Sequence, residues 1–197
     1  MNTAEYYNKN AKEFFRETLN LEMERFYKPF LSLLPIGGKI LDAGCGSGRD
    51  SLYFRNNGYT VTAFDNCKEL VALASEVIGQ QVLHLEFQEL NFNDEFNGIW
   101  ASASLLHIPK MQIDDILNKL SNALKAQGVL YASFKYGEGE TIERERLFNN
   151  YNEDTFKLLV SRHPDFKIVD IWKTEDVRQD RKGKFWLNIL LQKTGSI

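Results

Sequence analysis

The segment LDAGCGSGRD, residues 41 to 50, runs from an apolar stretch into a loop with glycines at positions 44, 46 and 48. Glycine lets the backbone adopt positive φ angles and approach a ligand closely. Ligands of parallel α/β sheets bind beside such loops, where the strands end. The segment therefore predicts a strand, a ligand-binding glycine loop and a helix in succession. Asp42, beside the loop, is suited to accept hydrogen bonds from a ligand ammonium group.

Outward from this loop, short apolar stretches alternate with amphipathic ones. The predicted strands are KILDAG, YTVTAFD, QQVLHLEF, FNGIWASAS and GVLYASFKY, and helices such as SLYFRNN, CKELVALASEVIG and MQIDDILNKLSNALKAQG lie between them. Such alternation favours a parallel sheet with right-handed crossovers. After a further helix, EDTFKLLVSRHP, the stretches KIVDIWKTEDV and KFWLNILLQK are separated only by the polar turn RQDRKG. They predict an antiparallel hairpin at a sheet edge.

Helical spacing also marks residues 10–34, where one or two helices are expected, broken near Pro29 and ended by Pro35. The whole chain of 197 residues reads as one domain, with residues 1–36 as a helical cap and 37–197 as the sheet-containing core.

Composition narrows the function classes. A net charge of −3 argues against nucleic acid and anionic membranes as partners. The two cysteines, Cys45 and Cys67, form neither a disulfide framework nor a metal knuckle, so no metal site is predicted. With a polar N-terminus and no apolar run of about 18 residues, the expected location is the cytoplasm.

The second predicted strand ends in Asp65, 21 residues after Gly44. An acid at about this distance holds a ribose hydroxyl in nucleotide-binding α/β domains. The glycine spacing is G-x-G-x-G rather than the G-x-G-x-x-G that binds a pyrophosphate, which argues against a nicotinamide dehydrogenase.

Together, LDAGCGSG, the acid of VTAFD and the stretch FNGIWASASLLHIP resemble the class I S-adenosylmethionine-dependent methyltransferases. ASLLHIP and SFKYGEGE are similar to a small bacterial branch related to the tellurite-resistance methyltransferases. The resemblance implies a three-layer α/β/α sandwich around a Rossmann-like, seven-stranded, mostly parallel sheet with an antiparallel C-terminal strand. It also implies S-adenosylmethionine as cofactor and S-adenosylhomocysteine as product.

The resemblance further implies a set of cofactor contacts. Glycines 44, 46 and 48, with the small Cys45 among them, would contact the amino-acid end of the cofactor, Asp42 its ammonium group and Asp65 its ribose. Two alternatives stay open: Arg49 contacts the methionine carboxylate or forms a salt bridge at the helix start, and Asn66 contacts adenine or caps the following helix.

Three more groups complete the predicted cofactor site. Glu86 and Phe87 would lie near adenine, with Gln88 and Glu89 as alternatives if the register differs. Tyr6 or Tyr7 would fold over the cofactor or else pack in the core. Small residues at the end of the fourth strand would leave room for the methyl group and its acceptor: Ser102, Ala103 and Ser104.

A general base is needed only if the acceptor must lose a proton, because methyl transfer is an in-line displacement. The candidates are His107, which could instead be structural, Tyr136 and Glu138. The loop after Tyr136 would shape the acceptor pocket, while residues 143–146 are expected to be solvated. The same is expected of four cations in the last turn: Arg178, Arg181, Lys182 and Lys184.

The function predicted from these features is methyl transfer to a small-molecule acceptor, by a monomer or homodimer. Two alternatives remain: a non-catalytic S-adenosylmethionine-binding or regulatory module, and a methyltransferase acting on RNA or protein. The core and its short additions leave little chain for recognising a large substrate.

Overall fold

Alternating strands and helices dominate the computed structural model, which describes residues 3–195. Met1, Asn2, Ser196 and Ile197 of the predicted domain lie outside the described residues. The helices are α1 Thr3–Thr18, α2 Glu24–Leu31, α3 Arg49–Asn56, α4 Lys68–Ile78, α5 Ile113–Ala123 and α6 Glu153–Val160. The strands are β1 Lys39–Ala43, β2 Thr60–Asp65, β3 Leu83–His84, β4 Phe96–Ala101, β5 Leu124–Lys135, β6 Gly139–Glu143, β7 Arg146–Asn150, β8 Phe166–Glu175 and β9 Phe185–Lys193.

The main sheet has seven strands in the order β3-β2-β1-β4-β5-β9-β8. Strands β1 to β5 are parallel, and β9 runs antiparallel to both β5 and β8. The strand order reverses between β1 and β4, the place where open α/β sheets bind ligands. The predicted parallel sheet with an antiparallel C-terminal strand is confirmed.

Two hydrophobic cores cover the two faces of this sheet. On one face, α2, α3 and α4 pack around Phe30, Phe54 and Trp100. On the other, α5 and α6 pack around residues that include Ile116 and Phe156. The result is the expected α/β/α sandwich. Among residues 3–195, no helix is both long and apolar enough to cross a membrane.

Three element boundaries differ from the prediction. The N-terminal break falls at residues 19–23 and not at Pro29, because the buried Phe26 and Phe30 hold α2 together around the proline. The third strand is only two residues long. The helix predicted through Gly128 ends at Ala123, because Leu124 already pairs with β4.

A second hairpin, β6–β7, was not predicted. Its strands pair from Gly139 opposite Asn150 to Glu143 opposite Arg146. The turn residues Arg144 and Glu145 have φ angles of 49° and 67°. Tight hairpin turns of this kind usually carry Asn or Gly, so the usual sequence signal is missing here.

Candidate active site

The glycine loop lies where β1 ends at the carboxyl edge of the sheet. The backbone N–H groups of Gly44 and Cys45 both donate to the carbonyl of Phe64, at 2.9 Å, which ties the loop to the end of β2. Gly44 has a φ of +77°, and a Cβ there would lie 2.5 Å from the Cβ of Ser104. Only glycine fits this position, because the loop packs tightly against Ser104, and residues 44–47 of the loop also line a cavity.

Asp65 ends β2 on the wall of the same cavity. Its two carboxylate oxygens accept hydrogen bonds from the N–H groups of Gly46 and Cys67, each at 2.9 Å. Burial raises the pKa of Asp65, while the backbone N–H groups oppose that rise. The carboxylate is thereby fixed in orientation, with lone pairs left to accept hydroxyl groups.

A buried ion pair stabilises the start of α3. Arg49 donates through Nε and Nη2 to Asp50, at 2.6 and 2.9 Å, and through Nη1 to the carbonyl of Thr18. Tyr27 and Trp100 also donate to Asp50. Burial alone would raise the pKa of Asp50, but Arg49 and these hydrogen bonds hold it below its usual range. The salt bridge considered for Arg49 therefore forms, and Arg49 also lines the cavity.

Asp42 lies beneath the glycine loop rather than on the cavity wall. Its side chain is 2% exposed and accepts a hydrogen bond of 2.6 Å from Ser51. Burial raises its pKa, and the nearby Asp50 raises it further. Cys45 does line the cavity, but burial raises the pKa of its thiol well above the usual range. Asn66 lies exposed on the cavity wall, and the residue that caps α4 is Cys67.

Residues 86–88 follow β3 and form another part of the wall. The ring of Phe87 packs edge-on against Phe64, with centroids 5.1 Å apart. Glu89 turns back, and its carboxylate accepts the backbone N–H of Glu86 at 2.8 Å. Glu86, Phe87 and the alternative Gln88 all line the cavity, whereas Glu89 is not among the residues that line it.

The residues after β4 close the loop from the opposite side. The Ser104 hydroxyl donates to the carbonyl of Ala43 at 2.6 Å, and the Ala103 N–H donates to Ser133 at 2.8 Å. Ser102, Ala103 and Ser104 all line the cavity, as predicted from the fourth strand.

Helix α1 covers the cavity through two tyrosines. The Tyr7 hydroxyl donates to Nε2 of His107 at 2.9 Å, because Nδ1 of His107 donates to the carbonyl of Leu147 at 2.7 Å. Arg146 donates to the same Tyr7 oxygen at 3.3 Å and stacks 4.4 Å above the Tyr6 ring. Burial, with help from nearby cations, lowers the pKa of His107 to about 4, so this imidazole is neutral at pH 7.

The other two candidate bases are differently placed. Tyr136 lines the cavity, but its hydroxyl donates to Glu153 on α6 at 2.8 Å, and this hydrogen bond raises its pKa. Glu138 is exposed and accepts a hydrogen bond from Asn152 at 2.7 Å. Since Asn152 caps α6, Glu138 is drawn away from the cavity, and the structure does not bring it together with His107.

Comparison with known proteins identifies the domain. Residues 40–128 match the protein family described as "Methyltransferase domain". The chain carries a methyltransferase domain. A probable S-adenosyl-L-methionine-dependent methyltransferase, TehB of Haemophilus influenzae, is 24% identical over 61% of this chain and 50% of TehB. The predicted resemblance to S-adenosylmethionine-dependent methyltransferases, and S-adenosylmethionine as the cofactor, are confirmed.

Solved structures confirm the methyltransferase fold. An S-adenosylmethionine-dependent methyltransferase from Methanosarcina mazei superposes with a TM-score of 0.77 at 21% identity, covering 86% of this chain and 99% of that one. A 1,6-didemethyltoxoflavin-N1-methyltransferase from Burkholderia thailandensis, solved with 1,6-didemethyltoxoflavin and S-adenosylhomocysteine, gives 0.70 at 21% identity, covering 98% and 91%.

The loop of this methyltransferase domain fits S-adenosylmethionine on its own geometry. Residues 44–47 of the loop line the cavity, and Asp65 presents an oriented carboxylate there for vicinal hydroxyl groups. Among residues 3–195, no cluster of three His, Cys, Asp or Glu side chains could hold a metal ion. The donor set suits a nucleoside-containing ligand.

The methyltransferase cavity has a volume of about 1190 Å³ and two ends that differ in charge. At the glycine-loop end, formed by lining residues between 44 and 88, the charged groups are Arg49, Asp50, Asp65 and Glu86. At the hairpin end, formed by lining residues between 135 and 188, cations outnumber carboxylates. The cations are Lys135, Arg144, Arg146, Arg178, Arg181, Lys182 and Lys184. The carboxylates are Glu143, Glu175, Asp176 and Asp180.

Two segments of the hairpin end, residues 143–146 and the last turn, were expected to be solvated. Glu143, Arg144 and Glu145 are exposed, as are Lys182 and Lys184, in agreement with that expectation, whereas Arg146, Arg178 and Arg181 are only partly exposed. Both segments also border the cavity. The last turn is held in place by Asp176, which accepts hydrogen bonds from Arg178 and Trp186. The available signal for Arg146 was strand alternation, because Arg146 and Phe148 occupy the same face of β7.

Proposed function

We propose that this methyltransferase acts on a small-molecule acceptor held inside the cavity. The observation that carries the proposal is that α1, β6–β7 and the β8–β9 turn all line one cavity of about 1190 Å³. Pockets for one small ligand usually measure about 300–1,000 Å³, so this cavity has room for a cofactor and a small acceptor.

The glycine-loop end is proposed to hold the cofactor. The backbone around Gly44, Gly46 and Gly48, with Cys45, would contact its amino-acid end, and Asp65 would accept hydrogen bonds from the ribose hydroxyls. Glu86 and Phe87 would contact one side of the adenine, and Asn66 would contact the other. Arg49 would supply positive charge near the methionine carboxylate, Asp42 would act from beneath the loop, and Tyr6 would cover the site.

When bound, S-adenosylmethionine supplies an electrophilic methyl group that an acceptor lone pair takes up as the methyl–sulfur bond breaks. The protein contributes position and exclusion of water, and positioning can lower such a barrier by about 7–11 kcal/mol. Ser102, Ala103 and Ser104 leave space where the acceptor must approach, and α1 covers that space. Their backbone is anchored by the bonds from Ser104 to Ala43 and from Ala103 to Ser133.

Proton transfer, where an acceptor requires it, would run through Tyr7. The Nε2 lone pair of His107 already accepts a hydrogen bond from the Tyr7 hydroxyl. An acceptor proton would therefore pass to the Tyr7 oxygen while the Tyr7 proton passes to Nε2 of His107. Because the low pKa of His107 makes it a weak base, acceptors that are already nucleophilic are favoured.

Domain organisation and location are part of the same proposal. Residues 1–36 would form a helical cap over the core of residues 37–197, acting in the cytoplasm as a monomer or homodimer. The hydrogen bonds from Arg49 to Thr18 and from Tyr7 to His107 support such a cap, because each links the N-terminal helices to the core.

Calorimetry with S-adenosylmethionine and S-adenosylhomocysteine is the first test, and Asp65→Ala serves as the variant expected to bind weakly. The second is S-adenosylhomocysteine formation with a panel of small thiols, phenols, amines and acids, compared with total RNA and total protein. We expect turnover with a small molecule. Turnover with RNA or protein alone would overturn the small-molecule acceptor, and binding without turnover anywhere would favour the non-catalytic module.

A further inference from the structure

Arg146 is a cation of the hairpin end that lacks a carboxylate partner. Its guanidinium carbon lies 4.4 Å from the ring centroid of Tyr6 and 5.1 Å from that of Phe148. Nη1 donates to Tyr7, whereas the buried Nε has no hydrogen-bond acceptor. None of the ion pairs formed within residues 3–195 includes Arg146.

Such an arrangement is costly without a ligand. A buried donor with no acceptor loses its hydration and gains nothing in return. The rings around Arg146 also exclude water, which strengthens any charge interaction made there. An oxyanion bound at this point would supply both the missing acceptor and the missing counter-charge.

Glu143 lies opposite Arg146 in the β6–β7 hairpin and interacts with its charge, but it forms its ion pair with Lys135. Lys135 approaches the Phe148 ring to 3.4 Å from its centroid, and it is paired with Glu143 at 2.7 Å. Arg178 is paired with Asp176. The partnered cations are thus neutralised, while Arg146 keeps its charge beside Tyr7 and His107, where the acceptor is proposed to react.

We propose that Arg146 anchors the carboxylate of a small aromatic or apolar acid, and that such an acid is the class of acceptor. This rests on the proposed function. A planar guanidinium fork matches a carboxylate, and the rings of Tyr6, Tyr7 and Phe148 match an apolar body. A phosphate monoester would demand a second unpartnered cation beside Arg146, and Lys135 is already committed to Glu143.

The test is a titration of the protein saturated with S-adenosylhomocysteine, using benzoate, benzamide and phenyl phosphate as probes in calorimetry or ligand-observed NMR. Wild type should bind benzoate about tenfold or more tightly than benzamide, the effect of one charge-assisted contact. Arg146→Gln should reduce that ratio to about twofold or less, and Arg146→Lys should leave an intermediate ratio.

Lys182→Gln is the matched control, because it removes an exposed cation from the same end and leaves Arg146 in place. Its ratio should equal that of wild type. Equal binding of benzoate and benzamide by wild type, or an unchanged ratio in Arg146→Gln, overturns the proposal. Tighter binding of phenyl phosphate than of benzoate overturns the choice of carboxylate.

The same titrations separate this inference from the proposed function. If wild type fails to bind S-adenosylhomocysteine, the proposed function fails. If it binds S-adenosylhomocysteine but does not distinguish benzoate from benzamide, only the inference fails. Melting temperatures and S-adenosylhomocysteine affinities of the Arg146 variants, matched to wild type, show that any loss of benzoate preference comes from the cavity and not from unfolding.

Discussion

The two ends of the cavity are assembled from different kinds of contact. At the glycine-loop end, backbone N–H groups of Gly46 and Cys67 hold the carboxylate of Asp65, all within neighbouring strands and loops. At the hairpin end, side chains far apart in the chain meet: Arg146 donates to Tyr7, 139 residues away. A fixed cofactor requires a rigid backbone frame, whereas an acceptor pocket depends on side chains that differ from one sequence to the next.

The largest difference between the two ends should come from adding one methyl group at each. Gly44 and Gly183 both have a φ of +77°, but a Cβ at Gly44 meets Ser104 at 2.5 Å and a Cβ at Gly183 meets nothing within 4 Å. Gly183→Ala should cost only the backbone strain, about 1–2 kcal/mol. Gly44→Ala should cost about 1–3 kcal/mol more, because Ser104 is held by Ala43.

Urea unfolding of both alanine variants, with calorimetry of S-adenosylmethionine binding, measures this difference. We expect Gly44→Ala to lose most cofactor affinity and Gly183→Ala to retain it. Equal destabilisation by the two substitutions would mean that Ser104 moves aside freely. The hypothesis of a rigid backbone at the glycine-loop end would then be wrong.

The next largest difference should come from two carboxylates that are nearly buried. Asp65→Asn removes one of the acceptors for the N–H groups of Gly46 and Cys67, so S-adenosylmethionine affinity should fall by about 100-fold. Asp176→Asn weakens the hydrogen bonds that Asp176 accepts from Arg178 in the turn and from Trp186 on β9, and cofactor affinity should change by less than about threefold. Calorimetry on both variants decides whether the ends act separately, and a similar loss in Asp176→Asn would show that they are coupled.

The sequence predicted the glycine-loop end of the cavity better than the hairpin end. The sheet, the glycine loop and Asp65 were predicted because period, glycine spacing and strand order are local signals. The break between the N-terminal helices was predicted at the wrong residue, since burial of Phe26 and Phe30 overrides the preference of Pro29. Such tertiary effects carry no mark in a single sequence.

The hairpin end shows why the rest could not be predicted. The turn at Arg144 and Glu145 lacks the residues that signal a tight hairpin, so β6–β7 was read as a loop. Without that hairpin, nothing placed Arg146 near Tyr7, 139 residues earlier in the chain. Alternation along β7 would have indicated the face of Arg146, but not the helix that meets it.

A smaller effect should appear in the pH dependence of stability. The folded protein keeps His107 neutral down to about pH 4, whereas an unfolded chain binds a proton at about pH 6.5. Between these values the unfolded state binds more protons, so stability should fall as the pH falls, by up to about 1.4 kcal/mol per pH unit. Urea unfolding at pH 7, 6 and 5 measures this dependence. The free energy of unfolding should fall less steeply with pH for His107→Gln than for wild type. The control His84→Gln, which replaces an exposed histidine, should show the same slope as wild type.

The smallest difference should come from removing one hydroxyl at each end. Tyr27→Phe removes a bond of 2.5 Å to the ionised Asp50, which should cost about 1.5–3 kcal/mol, because the acceptor is charged. Tyr7→Phe removes a neutral bond of 2.9 Å to His107 and should cost about 1 kcal/mol. It also frees Nε2 of His107, but the burial and the nearby cations that lower the pKa of that imidazole remain, so its pKa should stay well below the ordinary value. NMR titration of the His107 ring in Tyr7→Phe measures this, and a rise of the pKa to its ordinary value would mean that Tyr7, and not burial, keeps His107 neutral.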